Sequence, residues 1–247
     1  MLANLDYQQI LSVGLILFSA TVVVRLAGFG SSLVAMPMLT PLLGLWVASP
    51  LMNLFGITNF GLVIFQRWKD LTLKDVWRLV LMTVLIVPLG IYLVLVVPES
   101  FLRLVLGTIC ILYGLYGFTS LPMPRLKNPN WAWVYGFCAG VFSGAFNVGG
   151  VPVILYADTQ DWEPERFRLN MFSFFFVTSI FSLVSRYAAG QLTGEVIQIW
   201  LTAIPFLLLG LAVGSYLTRF VNKTRFRKLV LGLLIVLGSR LIYSVYA

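Results

Sequence analysis

Two glycine-broken apolar segments, one in each half of the chain, carry the residue types that are best suited to hold a small anion. The first covers residues 28–37 (GFGSSLVAMP) and the second covers residues 143–152 (SGAFNVGGVP). Glycine lets a backbone approach a ligand closely, and serine or asparagine favours the start of a helix. Unpaired amide N–H groups and the positive end of the helix dipole meet at such a start. The two segments therefore predict anion-binding helix N-termini that require no lysine.

The candidate ligands of this anion are tip glycines, N-cap residues, two asparagines and two arginines. Ser31, Ser32 and Asn147 are N-cap types whose side chains can also donate hydrogen bonds to an oxyanion. Asn53 and Asn170 lie near the starts of later spans, where each either lines the site or forms an interhelical hydrogen bond. The expected substrate-binding residues are Arg25, Gly28, Gly30, Ser31, Ser32, Asn53, Asn147, Gly149, Gly150, Arg168 and Asn170.

The arginines and the glycines each have a second explanation. An arginine inside a membrane span is a candidate for function, and an anion is its natural partner. A long side chain near the end of a span can instead extend to the interface. Both alternatives stay open for Arg25 and Arg168, whereas Arg103, Arg186 and Arg240 are expected at the interface. The glycines can also serve tight packing, because small residues let membrane helices approach each other.

The composition predicts a membrane protein. Of 247 residues, 60% are hydrophobic and 11% are charged, whereas a soluble domain has about 25% charged residues. At about 20 residues per span, the length fits roughly eight passes and leaves no room for a soluble catalytic domain. No basic residue precedes the first apolar run, so no cleaved signal peptide is expected. The net charge is +8, and the basic residues lie in short loops, as positive-inside topology requires. This placement explains the charge without a nucleic-acid partner, so none is expected.

The apolar runs predict an all-α polytopic fold. Two runs, at 33–45 and 151–157, are too short for a hydrocarbon core of about 30 Å and are predicted to be limbs of re-entrant hairpins. The basic loops at 67–78, 125–127 and 219–228 all face the cytoplasm only if the second hairpin returns to its own side. This topology places both termini outside. The longer runs lie at about 10–27, 46–66, 76–97, 100–119, 131–147, 165–187, 195–218 and 227–246.

The two halves also resemble each other. The tetrapeptide LVLG at residues 104–107 recurs at residues 229–232. Each half is therefore predicted to be a broken re-entrant hairpin followed by three transmembrane helices, and opposite starting sides make the two repeats inverted. The predicted organisation is a first transmembrane repeat, a proline-rich cytoplasmic linker and a second repeat, at residues 1–120, 121–130 and 131–247.

Side chains for catalysis or metal binding are scarce. The chain has no histidine, and its two cysteines are far apart in the sequence. All nine acidic residues lie in loops or at span ends, whereas a cation pathway or a proton relay places a carboxylate at depth. We expect no enzymatic activity, no metal and no cofactor, and we predict an anionic substrate. An anion channel and a membrane interaction subunit stay open as alternatives to a carrier.

The glycine-broken segments resemble the motifs of a known family. Residues 28–37 are similar to the first-half motif of the TauE/SafE sulfite exporters, also called the toluene sulfonate uptake permease family. Residues 147–156 resemble the second-half motif, and the triplet at 168–170 matches another recurrent feature. The resemblance covers nearly the whole chain, including its length and its two halves.

The resemblance implies a multi-pass carrier in the bacterial inner membrane for small sulfur-containing anions, such as sulfite or sulfoacetate, often an exporter. The anion would bind between the two hairpin tips at the midplane and cross by alternating access, with membrane lipid as the surrounding partner. An uptake permease for another small oxyanion or carboxylate is the alternative. Ser31 and Ser32 stand where many members have glycines, and Val151 where a proline is more usual, which changes the size or polarity of the pocket.

Overall fold

The computed structural model describes residues 7–27, 30–67, 73–119, 124–126, 128–160 and 162–246. All regular structure in these residues is α-helical, and seven of the described helices are long and apolar enough to cross a membrane. The predicted all-α polytopic fold is thereby confirmed. In chain order the helices are α1 (Tyr7–Ala27), α2 (Ser31–Arg67), α3 (Trp77–Val96), α4 (Glu99–Thr119), α5 (Trp131–Phe146), α6 (Gly150–Asp158), α7 (Pro164–Ala188), α8 (Gly194–Leu217) and α9 (Lys223–Tyr246).

The helices coincide closely with the predicted apolar runs. Helix α3, for example, was expected over 76–97 and is found over Trp77–Val96. Helices α5 and α6 contain 16 and 9 residues. At 1.5 Å per residue they extend about 24 Å and about 14 Å, less than the hydrocarbon thickness. The second glycine-broken segment is therefore a short helix, a turn and a shorter helix, as the prediction of a hairpin requires.

Helix α2 is broken at Gly44, where φ is 71° and ψ is 161°. This backbone region is essentially restricted to glycine. The backbone N–H of Leu45 donates to the Glu99 carboxylate at the start of α4, with an N···O distance of 3.3 Å. Arg103 donates to the same carboxylate at 3.0 and 3.2 Å. The break lies one residue from the predicted end of the half-helix at 33–45.

The chain forms two compact units, and each unit combines helices from both halves of the sequence. The first unit contains Met1–Met52, Val97–Leu121 and Leu192–Ala247, and the second contains Asn53–Val96 and Pro122–Gln191. A compact unit is defined by contacts and a repeat by sequence order, so the predicted boundaries of the two repeats stay a prediction.

Glycines set the close helix pairs of the first unit. Helix α1 packs on α8, and α4 packs on α9. A Cβ atom on Gly210 of α8 would lie 2.8 Å from Thr21 Cβ, and one on Gly107 of α4 would lie 2.8 Å from the carbonyl oxygen of Gly238. Larger residues at these positions would push the helices apart, as expected for small-residue interfaces in membranes.

The second unit is organised around α3, α5 and α7. Helix α3 packs on both of the others, and α6 packs on α5 and α7. The closest approach pairs Gly90 of α3 with Gly144 of α5. A Cβ on Gly144 would lie 2.8 Å from Gly90 Cα and would overlap the carbonyl oxygen of Val87. This crossing lies within three residues of the second hairpin tip, so it fixes where that tip lies in the unit.

Gly44→Ala should lower the free energy of unfolding by about 1–3 kcal/mol, because a side chain is strained at a backbone conformation reserved for glycine. The matched control is Gly61→Ala in the same helix, where a Cβ would have no neighbour within 4 Å. Thermal unfolding of the detergent-purified variants measures both changes. Equal midpoints for the two variants would contradict a strained break at Gly44.

Candidate functional site

The first hairpin tip connects α1 to α2, and Gly28 lies outside the described residues. Gly30 has a φ of 90°, and its carbonyl oxygen accepts a hydrogen bond from Val34 N at 3.1 Å. Gly30 therefore occupies the N-cap position of α2. Ser31 and Ser32 are the first two helical residues and are half-buried. The expectation that these serines act as the N-cap is wrong, because the helix already begins at Ser31, one residue earlier than a Ser31 N-cap would require.

The second hairpin tip is built on a left-handed asparagine. Asn147 has φ 55° and ψ 28° and ends α5 as its C-cap. Its N–H donates to Ser143 O at 3.0 Å, and Val148 N–H donates to Phe142 O at 3.1 Å. Asparagine tolerates this conformation better than most residues. The expected N-cap role of Asn147 is therefore wrong, and Gly149 takes that position before α6.

Tight packing explains Gly149 and Gly150 but not Gly30. A Cβ on Gly149 would overlap Ser143 Oγ and lie 2.6 Å from Ala139 O, so the two limbs meet only because this residue is glycine. A Cβ on Gly150 would lie 3.1 Å from Phe175 Cζ, a tight contact. At Gly30 a Cβ would have no neighbour within 4 Å, and the positive φ requires glycine instead.

Arg186 is the functional candidate that sequence reasoning missed. It was expected at the interface, but its side chain is fully buried in the second unit. Its Nη2 donates to the carbonyl oxygens of Ser143 and Gly144 at 2.9 and 2.8 Å, and its Nη1 donates to Gln191 Oε1 at 2.7 Å. The interface expectation is wrong because the buried C-terminus of α5 needs hydrogen-bond donors, and Arg186 supplies them. In the sequence, only Gly190 and Gln191, which follow α7, could have indicated that Arg186 is buried.

Arg186 also changes the electrostatics of the second tip. The C-terminus of a helix carries a partial negative charge, which repels an anion, while the N-terminus carries a partial positive charge. The guanidinium offsets the negative end of α5 at the point where α6 begins. Pro152 has no N–H and Val151 N–H donates to Val148 O at 3.4 Å, so the backbone donors at the start of α6 are the amides of Gly149 and Gly150. The tip can thus present donors to an anion with the opposing dipole neutralised.

The two asparagines are buried and engaged through their amide nitrogens. Asn53 Nδ2 donates to Ser179 O at 3.4 Å, and Asn170 Nδ2 donates to Asp75 Oδ2 at 3.1 Å. Both Oδ1 atoms are buried without a partner among the described residues. These contacts agree with the alternative of interhelical hydrogen bonds, and the Asp75 carboxylate would repel an anion that approached Asn170 from its side. Substrate contact by either asparagine stays a prediction.

The structure describes the side chain of one candidate arginine, Arg25, but only the backbone of the other, Arg168. Arg25 lies in the last turn of α1, is half-buried and has an Nε atom that is buried without a partner among the described residues. It packs closely on α8, where a Cβ on Gly214 would lie 2.9 Å from Arg25 Cβ. The backbone of Arg168 lies in the second turn of α7, and its side chain lies outside the described residues.

Helix α7 carries more buried polar side chains than we expect of an ordinary transmembrane helix. Polar residues three to five positions apart are each at most 5% exposed along its length. Protein rather than lipid therefore surrounds these positions, because an unpaired polar group facing hydrocarbon is costly. The residues are Asn170, Ser173, Thr178, Ser182 and Arg186.

A hydrogen-bonded cluster joins α7 to the turn before α3. Arg166 donates to both carboxylate oxygens of Asp75, at 2.8 and 2.7 Å. These hydrogen bonds lower the pKa of the Asp75 carboxyl below its usual value, burial opposes the shift, and Asn170 adds to it. Because the folded pKa is depressed, the stabilisation is present above the unfolded value of about 4 and is lost as the pH falls through the lower folded value.

Arg186→Gln should lower the free energy of unfolding by about 3 kcal/mol, because the carbonyl groups at the buried end of α5 lose a charged donor. Arg186→Lys should recover part of this loss. The control is Arg103→Gln, which breaks the more exposed pair with Glu99 and should cost less than about 1 kcal/mol. Equal losses for the Arg186 and Arg103 variants in thermal unfolding would contradict a capping role.

Asp75→Asn should lower the thermal midpoint at pH 7 and should flatten its decrease between pH 5 and pH 3, because only the carboxylate can titrate. The measurement is unfolding of detergent-purified protein across that pH range. Glu195→Gln, at an exposed acid in the first turn of α8, is the control. Parallel curves for the wild type and Asp75→Asn would show that the Arg166 contact does not stabilise the fold.

Comparisons with known proteins identify a family and one curated relative. The family model of the sulfite exporter TauE/SafE matches residues 13–241. A relative named probable sulfite/organosulfonate exporter TauE, from Cupriavidus necator, is 28% identical over 144 residues. That alignment covers 58% of this chain and 56% of the relative, so the chain matches little more than half of the relative's length. No solved structure matches the chain.

The family match extends over nearly the whole chain and includes both glycine-broken segments. It confirms the resemblance seen in the two motifs, and it agrees with a multi-pass membrane protein. The chain belongs to the sulfite exporter TauE/SafE family.

Proposed function

We propose that this protein exports a small sulfur-containing anion, such as sulfite or an organosulfonate, across the bacterial inner membrane. Support comes from the family and from the name of the Cupriavidus necator relative, a probable sulfite/organosulfonate exporter. The acidic residues that the structure describes lie in turns or near helix ends, as in Asp75, Glu99 and Glu195. An apolar interior without carboxylates at depth suits an anion better than a cation.

The observation that carries the proposal is the start of a short helix at each glycine tip. Gly30 precedes α2 in the first unit, and Gly149 precedes α6 in the second. The first amides of each helix have no partner within that helix and lie at the positive end of its dipole. Backbone amides and a hydroxyl such as that of Ser32 are suitable donors for a sulfite or sulfonate oxygen. We assign the first amides of a helix that starts at a glycine tip to the anion.

Alternating access follows from the same proposal. Carriers built from two repeats move one repeat or bundle against the other around a fixed binding site. The break at Gly44 limits the length of the first helical segment of α2, and the left-handed turn at Asn147 ends α5. Because these segments are short, we place the starts of α2 and α6 within the apolar region of the membrane. Arg25, next to the first tip in sequence, is the basic residue we assign to the anion from the α1 side.

The first experiment is thermal unfolding of the detergent-purified protein with a panel of sulfite, sulfate, thiosulfate, sulfoacetate, taurine, acetate and chloride. A ligand that binds only the folded state raises the midpoint with concentration, by about 2.7 kcal/mol of stability at one hundred times Kd. We expect a saturable and selective shift with sulfite or a sulfonate. An equal response to chloride and acetate would favour a less selective anion channel.

Two variants test the tips. Ser32→Leu should weaken anion binding at least tenfold, since a hydrogen bond to a charged group contributes about 1.5–3 kcal/mol. Asn147→Gly should weaken anion binding less than Ser32→Leu does, because glycine keeps the left-handed backbone and removes only the side chain. Asn147→Leu would also strain the turn, so it is a less specific test. Ser19→Leu, on an exposed face of α1, is the matched control. Unchanged affinity in both tip variants would exclude binding at the tips.

A further inference from the structure

A second candidate binding site lies entirely within the first unit and takes no part in the proposed export. A cleft of about 220 Å³ opens between α1, the first part of α2 and α9. Its inner wall is formed by buried residues such as Ile16, Leu237 and Leu241. Leu42, which is 50% exposed, lies at its rim. The lining is apolar except for Arg240 and Ser244.

Arg240 is the charged group of this cleft. Its side chain is exposed, and the structure shows it neither an ion pair nor a side-chain hydrogen bond among the described residues. The Ser244 hydroxyl donates to Leu241 O at 2.7 Å, so Arg240 is the lining residue with donors for an anion. Arg240 lies within the membrane-spanning part of α9, six residues before Tyr246. That distance is about 9 Å along the helix, so the guanidinium can extend to the headgroup level.

We propose that this cleft binds an anionic glycerophospholipid, with its phosphate on Arg240 and part of one acyl chain between α2 and α9. A cation in a membrane requires a partner, and the described residues supply none at Arg240. A lipid phosphate satisfies the guanidinium by charge-assisted hydrogen bonds. The apolar wall then packs along the acyl chain, and these dispersion contacts hold the chain in the cleft.

The size and polarity of the cleft favour a lipid over the transported anion. Its volume is smaller than the about 300–1,000 Å³ of typical small-molecule pockets, so it holds a narrow chain rather than a bulky ligand. A sulfite ion would engage Arg240 and leave the apolar wall empty. Pro37 and Met38 lie within two helical turns of the first glycine tip, but side chains of α1, α2 and α9 line the cleft and no tip amide does, so this inference does not depend on the proposed export.

The test is native mass spectrometry of the full-length protein titrated with phosphatidylglycerol or with phosphatidylcholine of the same acyl chains. We expect phosphatidylglycerol to bind about fivefold more tightly, as one basic residue near a membrane surface contributes about 1 kcal/mol. Arg240→Gln should remove that preference. Arg225→Gln, an exposed arginine at the other end of α9, is the matched control and should retain it.

Two further arms separate the lipid from other occupants. Leu42→Trp places a larger side chain at the rim and should weaken phosphatidylglycerol binding while Arg240 is intact. Soluble glycerol 3-phosphate should bind much more weakly than the lipid, because it lacks the acyl chain. Equal lipid binding by the wild type and Arg240→Gln would overturn the proposal, as would an equal loss in Arg225→Gln. Formation of a dimer that Leu42→Trp disrupts would assign the cleft to a second copy of the chain and would also overturn the lipid proposal.

Thermal unfolding midpoints confirm that each variant is folded.

Discussion

A buried guanidinium at the end of a short helix is the interaction on which the second unit depends. Helix α5 stops inside the unit, where its last carbonyl groups have no water to accept from. Arg186 donates to the carbonyl oxygens of Ser143 and Gly144, while the amides of Asn147 and Val148 donate to those of Ser143 and Phe142. No acidic residue pairs with Arg186 in the described structure, so the dipole of α5 and the Gln191 amide oxygen provide its stabilisation. The charge and the helix end each lower the cost of burying the other, although Arg186 Nε is buried without a partner among the described residues.

Gly144 connects this interaction to the helix packing. Its carbonyl oxygen accepts from Arg186 of α7, and its Cα lies against Gly90 of α3. A side chain at Gly144 would force α3 away from α5 and would shift the carbonyl that Arg186 binds. The position of the second tip therefore results from three helices that meet at one residue, and the start of α6 follows from where α5 is held. A loop alone could not fix a helix start to that extent.

Hydropathy and glycine placement predicted the helices, and they predicted the tips in outline. The break at Gly44 and the bounds of α3 were within two residues of expectation. The roles of Asn147 and Ser31 were wrong because only a few residues separate the end of one helix from the start of the next, and sequence alone does not say which end a residue caps. The two compact units follow contacts between distant segments, which a single sequence does not specify.

Arg186 and Arg240 show that hydropathy alone does not predict whether a charged residue in a membrane span is buried or exposed. Both lie in the last third of a membrane helix and both were expected at the interface. The first has a helix C-terminus and an amide within reach and is fully buried. The second has neither among the described residues and remains exposed beside an apolar cleft. A charge within a membrane span needs compensation in both cases, and the source of that compensation differs. The protein supplies the partner for Arg186, and the bilayer is left to supply one for Arg240.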